Sequence, residues 1–170
     1  MLQRSVAAAG TPGGTFTVEG PVLAEILVLL LDGADIRLTG PCGAEPWLVE
    51  VGDADPTDVV AAMARKNLGE PLLVHSTSWR RDRGAVILTF ACVVPPGSVP
   101  GLAAAPVRRA DLSRGGATSA AARIGWEQVL EHALRHLAWL YGDDAVVAEA
   151  LGEAWREPLA TYTPEPFRAL

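Results

Sequence analysis

His132 and His136 stand four residues apart in a stretch whose apolar residues recur with helical spacing. That spacing puts two imidazoles on one side of a helix, as a shared metal ion demands. Zinc takes three or four ligands, so a third donor would have to come from Asp143, Asp144 or elsewhere. The competing role for His136 is a half-buried histidine with one hydrogen bond on the flank of the apolar stripe. A second cluster lies upstream. Strand alternation sends Leu73, His75, Thr77 and Trp79 to one face and Val74, Ser76 and Ser78 to the other. This polar and aromatic face can hold a ligand, with Arg80, Arg81 and Arg83 following in a hairpin turn. The ordinary roles of such residues are packing for the tryptophan and solvation for the arginines. No serine, histidine and acid are arranged for nucleophilic catalysis. Gly13-Gly14 and Gly115-Gly116 lack the lysine and spacing of a phosphate loop.

Between these clusters, residues 52–74 carry a longer pattern. Gly52 is followed by Asp58, Lys66, Leu68, Glu70 and Val74 at intervals that resemble the Nudix box, Gly-x5-Glu-x7-Arg-Glu-U-x-Glu-Glu-x-Gly-U with U a bulky aliphatic. Asp58 takes the place of the first Glu and Lys66 that of Arg. Asn67, Pro71 and Leu73 depart from the pattern. In the Nudix family the glutamates matching Asn67, Glu70 and Pro71 hold magnesium against a diphosphate, so the resemblance implies a metal site from which two acids are missing. Mg²⁺ takes hard oxygen ligands in near-octahedral geometry and needs one or two carboxylates to be held, which an amide and a proline cannot replace. Pro71 also disfavours the α region for Glu70, so the helix should end there.

The elements around the box fit the resemblance. Residues 25–31 form a continuous apolar run with β-branched Ile26 and Val28, bounded by Asp32-Gly33, a tight-turn dipeptide that leads into a strand over 36–39. Residues 47–51 read as a strand, followed by a loop through Gly52, Asp53, Asp55 and Pro56, with Thr57 or Asp58 capping a helix over 57–69. Residues 72–77 and 86–94 make a second hairpin across Arg80 to Gly84. The expected fold is α/β: a Nudix-like mixed β-sheet between helices, with a C-terminal helical extension. The resemblance spans about residues 22–95 and extends plausibly to 141.

At 170 residues and 49% hydrophobic composition, with mean hydropathy +0.22, the chain is long and apolar enough to bury a core without staples. Net charge is −6, with a pI near 5.0, which excludes general nucleic-acid binding. Cys42 and Cys92 give neither a disulfide framework nor a metal spacing, consistent with a reducing compartment. The longest apolar run, residues 26–31, is far short of the roughly 20 residues of a spanning helix, and no charged-then-apolar leader pattern opens the sequence. A cytoplasmic, soluble protein without membrane association is the expectation.

Residues 1–14 read as a loose arm, 15–141 as the Nudix-like domain, and 142–170 as a C-terminal helix and extended tail. From residue 124 the period turns helical, with Trp126, Leu130, Ala133, Leu137 and Leu140 on one face, Tyr141 at its edge and Gly142 as the stop. Asp143 or Asp144 caps a second helix through Val146, Val147, Ala150, Leu151 and Trp155, and Pro158, Pro164 and Pro166 make the tail extended. The Pro-, Gly- and Ala-rich segment 95–123 is long for a structureless connection and is a place to seek ligand contacts.

Together these features point to a Nudix-like domain that binds a small ligand or a protein partner and lacks metal-dependent hydrolase activity. No cofactor is expected. The candidate ligand contacts are Trp79, His75, Arg80 and Trp47; the resemblance implies a nucleotide-like molecule, stacked on a tryptophan with an arginine near a phosphate. The alternative is a Mg²⁺-dependent hydrolase of a nucleoside diphosphate derivative, using Glu70 with Asp58 or Glu50 in catalysis and Glu70 with Asp53 on the metal, with Asp55 a further acid for such a rebuilt site.

Overall fold

A computed structural model describes residues 20–98, 103–110 and 124–162. Its centre is β1 (Val22–Asp32), whose near-continuous apolar run reflects cover on both faces. Ala24, Ile26, Val28 and Leu30 point to one side and Leu27, Leu29 and Leu31 to the other, in two separate cores. β1 turns at Gly33-Ala34 into β2 (Asp35–Thr39), Gly33 taking the left-handed φ of +63° that glycine accepts without strain. β3 (Trp47–Glu50) lies antiparallel on the same edge of β1, beside residues 23–26, and β2 occupies residues 28–32.

After α1 (Pro56–Asn67) come β4 (Leu73–Asp82) and β5 (Ala85–Val93), joined at Arg83-Gly84, where both residues have positive φ. Such a turn matches the twist of a hairpin. β5 pairs parallel with β1 from Val22↔Val86 to Leu29↔Val93. β6 (Ala104–Pro106) pairs with β2 inside the segment expected to be structureless. The result is an open, mixed, six-stranded sheet in the order β4-β5-β1-β2-β6, with β3 also on β1.

Val60, Ala64 and Leu68 of α1 and its C-terminal flank cover one face. On the other lies α2 (Trp126–Asp143), through Leu130, Ala133, Leu134, Leu137 and Leu140. Trp126, expected in this stripe, is instead 36% exposed at the first residue of the helix, and Leu134 belongs to the buried face. Gly142 does not stop α2, which runs on to Asp143. Asp144 then caps α3 (Ala145–Leu151) through its carboxylate. Gly152 breaks the expected single helix, and after a 3-10 turn (Glu153–Trp155) the chain forms α4 (Arg156–Ala160), with Pro158 inside it rather than in an extended tail. Proline fits there because the first turn of a helix has no partner for its N–H. Val147, Leu151, Trp155 and Leu159 join the α2 core, so the C-terminal helices share the interior of the sheet. Pro164, Pro166 and the arm 1–14 lie outside the described residues.

Candidate functional site

Gly52, at φ +61°, turns the chain from β3 into the loop before α1. Asp55 caps that helix, in place of Thr57 or Asp58. One of its oxygens accepts from Thr57 N at 2.8 Å and Asp58 N at 3.4 Å, and Pro56 opens the first turn. At the other end Leu68 N–H closes on the Ala64 carbonyl, and Gly69, at φ +92°, turns the chain away before Glu70. Glu70 is exposed, and both its oxygens accept from Arg65 Nε, at 3.1 and 2.9 Å. That hydrogen bond holds its carboxyl below the usual carboxylate range. Asn67 donates its amide to the Met63 carbonyl.

The acids named with Glu70 do not converge on it. Asp53 and Asp55 precede α1, and Asp58 stands in its first turn, about two turns before Arg65, on which its charge still acts. Glu50 pairs with Leu23, whose side chain is on the face of β1 away from α1.

The ligand set read from strand alternation is likewise divided. A bulge at Thr77 shifts the β4 register, so that His75 opposes Ala91, whereas Trp79 opposes Leu88. One extra residue reverses the faces that follow. His75 and Arg80 therefore lie on the α2 side, and Trp79 and Trp47 on the α1 side. Trp79 is 69% exposed, whereas Trp47 packs against the α1 core, its buried indole N–H without a partner. Arg81 follows Arg80 on the strand, and only Arg83 sits in the turn.

On the α2 side the apolar core ends at Leu27 and Ala91 and gives way to a polar cluster. Arg80 reaches across β5 and donates from both terminal nitrogens to Glu25, each at 2.7 Å; Thr89 Oγ1 donates to the same carboxylate at 3.0 Å. Glu25 and Thr89 are buried. The carboxylate raises the Arg80 pKa further, first through its hydrogen bond. Leu48, beside Glu25 on β3, is 59% exposed and forms the outer border of this surface. The sequence reading missed Glu25 and Thr89; the available signal was a lone acid in an otherwise apolar strand.

No protein-family model matches the chain, and no curated protein does.

His75 Nε2 lies 3.2 Å from His136 Nε2, so β4 supplies the partner that the sequence reading had placed at His132. The rings are 19° from parallel, and Trp139 packs against His136. Burial lowers the pKa of both imidazoles; for His136 the nearby His75 and His132 add to the effect, and for His75 Asp144 opposes it. A cleft of about 250 Å³ opens elsewhere, between Pro106, Val107, Trp126 and Leu130. Its size falls below the roughly 300–1,000 Å³ of ligand pockets. Cys92 is buried, and its thiol is pushed up to about 12, leaving no reactive thiolate there. Among the described residues no helix is long and apolar enough to cross a membrane.

Proposed function

We propose that this chain is a Nudix-like module that binds a small ligand and does not hydrolyse it. The observation that carries the reading is the engagement of Glu70, whose oxygens both accept from Arg65, while Asp53 and Asp55 precede α1, Asp58 stands in its first turn and Glu50 lies across the sheet. A hard cation held by a single exposed carboxylate would be bound weakly. The binding surface is the polar end of the α2-side face. Glu25 neutralises Arg80, so the cluster does not act as a bare anion trap. Glu25 and Thr89 are buried and only the Arg80 guanidinium of the three reaches solvent, beside exposed Leu48, which favours a small ligand that meets a guanidinium plane and an apolar edge, such as a nucleobase-like heterocycle. A nucleotide-like molecule fits this chemistry through its base more than through its phosphates.

Titration of the full chain with adenosine and with ADP, followed by NMR of the arginine Nε–H and threonine methyl signals, tests the assignment. The expected result is perturbation at Arg80 and Thr89 of similar size for both ligands. Perturbations confined to other residues, or found with ADP alone, would contradict it.

A further inference from the structure

The cleft beside Trp126 is framed by two rigid elements and belongs to neither the box nor the Glu25 cluster. On one side β6 lies on β2, with Ala105 opposite Leu38 and the Val107 N–H donating to the Ile36 carbonyl at 3.1 Å, so Ala105 and Val107 share the face of Leu38 toward α2. The start of α2 forms the other wall through Trp126 and Leu130. Leu38 and Leu130 are each 1% exposed, which makes the floor part of the core, whereas Trp126 is 36% exposed at the mouth. The space measures about 250 Å³. A cavity of roughly 150 Å³ lined by apolar side chains holds benzene, so this one has room for a branched or single-ring side chain and a short polar head.

Two side chains of opposite charge line the same cleft, Arg108 and Glu127, both exposed. Arg109 is held by Glu131, but Arg108 beside it has no ion-pair or hydrogen-bond partner for its side chain among the described residues. The Glu127 carboxylate is equally free, because Gln128 Oε1 takes the Gly125 N–H at 2.8 Å in its place. Nor do the two pair with each other. A bare anion would meet Arg108 but be repelled by Glu127, and a bare cation would meet the reverse. A molecule that carries both signs next to an apolar body satisfies the rim and the floor together. We propose that this cleft binds a free apolar α-amino acid such as leucine or phenylalanine, with its carboxylate on Arg108, its ammonium on Glu127 and its side chain between Val107, Trp126 and Leu130. The arginine fork matches a carboxylate, and an ammonium group donates to one. Binding leaves the Arg109–Glu131 pair intact. It is also remote from the Arg80 surface, since β4 and β6 are the opposite ends of the sheet order.

The test is an NMR titration of the full chain at neutral pH with L-leucine and L-phenylalanine, following the Trp126 indole N–H, which Trp126→Phe identifies, and the methyl signals of Leu38, Val107 and Leu130. These should shift together and saturate, while Arg80 and Thr89 stay fixed. At an open rim each ion pair has surface strength, so N-acetyl-L-leucine, L-leucinamide, Arg108→Gln and Glu127→Gln should each weaken binding about fivefold. L-alanine should bind at least about tenfold more weakly, because it lacks the methylenes that the floor buries. Both substitutions are at exposed positions on different segments, which guards against one failing to fold. Absence of saturation at roughly ten millimolar amino acid would overturn the proposal. So would shifts at Arg80 and Thr89 in place of Trp126, or N-acetyl-L-leucinamide binding as tightly as leucine, which would make the cleft a seat for an apolar side chain of a protein partner.

Discussion

Glu25 and Glu131 are both buried carboxylates held by arginine, yet their partners come from different parts of the chain. Glu131, on α2, is 1% exposed and accepts from Arg109 Nε and Nη2, Arg135 Nε and the Ala110 N–H. Arg109 also donates to the Thr161 carbonyl at 2.8 Å and lies 4.4 Å from the centre of the Tyr162 ring. One carboxylate thus ties the chain after β6, α2 and the end of α4 together. Burial pushes its carboxyl up, but the arginine hydrogen bonds outweigh this and leave it lowered. Glu25 instead has one arginine and one threonine, both from the neighbouring hairpin, and joins nothing that the sheet has not already joined. The contrast separates a clamp between distant segments from an ion pair internal to the sheet. Redundant donors from distant segments hold the fold at Glu131, whereas Glu25 depends on one arginine and one threonine.

The largest expected effect is on the clamp. Glu131→Ala should lower stability by about 3–5 kcal/mol, because it removes the buried acceptor of hydrogen bonds from Arg109, Arg135 and the Ala110 N–H together. Chemical denaturation measures this, and a loss below about 1 kcal/mol would show that the clamp does not organise the C-terminal helices. A matched pair of arginine substitutions sharpens the comparison. Arg80→Met leaves Glu25 buried with only Thr89 and should cost about 2–3 kcal/mol, whereas Arg109→Met leaves Glu131 with Arg135 and the Ala110 N–H and should cost about 1–2 kcal/mol. The reverse order would contradict the claim of redundancy.

The smallest effect is that of pH on the histidine pair. Both folded-state pKa values are below the unfolded value near 6.5, so the unfolded chain binds more protons in the window beneath that value. Stability should therefore fall as pH drops through about 6.5 and downward, and melting curves of the double His75→Gln, His136→Gln variant should show a shallower fall. An unchanged slope in the double variant would place the titrating groups elsewhere.

Much of the fold was legible because it depends on local pattern. The apolar run in β1, the turn at Gly33 and the stripe of Leu130, Ala133 and Leu137 each signal their element through spacing alone. The α/β class follows from them. The candidate site was less legible, because its assembly depends on register. A single bulge at Thr77 moved Trp79 off the face of His75, and alternation cannot reveal an inserted residue. The His75–His136 contact spans 61 positions, and Glu25–Arg80 spans 55. No spacing rule reaches so far. Arg109 and Glu131 were missed because the segment holding Arg109 read as an unstructured connection, although Glu131 and Arg135 stand four apart on α2.

Hydrolysis assayed with nucleoside diphosphate derivatives in millimolar Mg²⁺, on the wild type and on Glu70→Gln, tests the central claim most directly. Glu70 held by Arg65, with an amide at Asn67 and a proline at Pro71, predicts no turnover above buffer for either protein. Metal-dependent turnover by the wild type that Glu70→Gln abolishes would contradict the account and establish a working hydrolase site at the box.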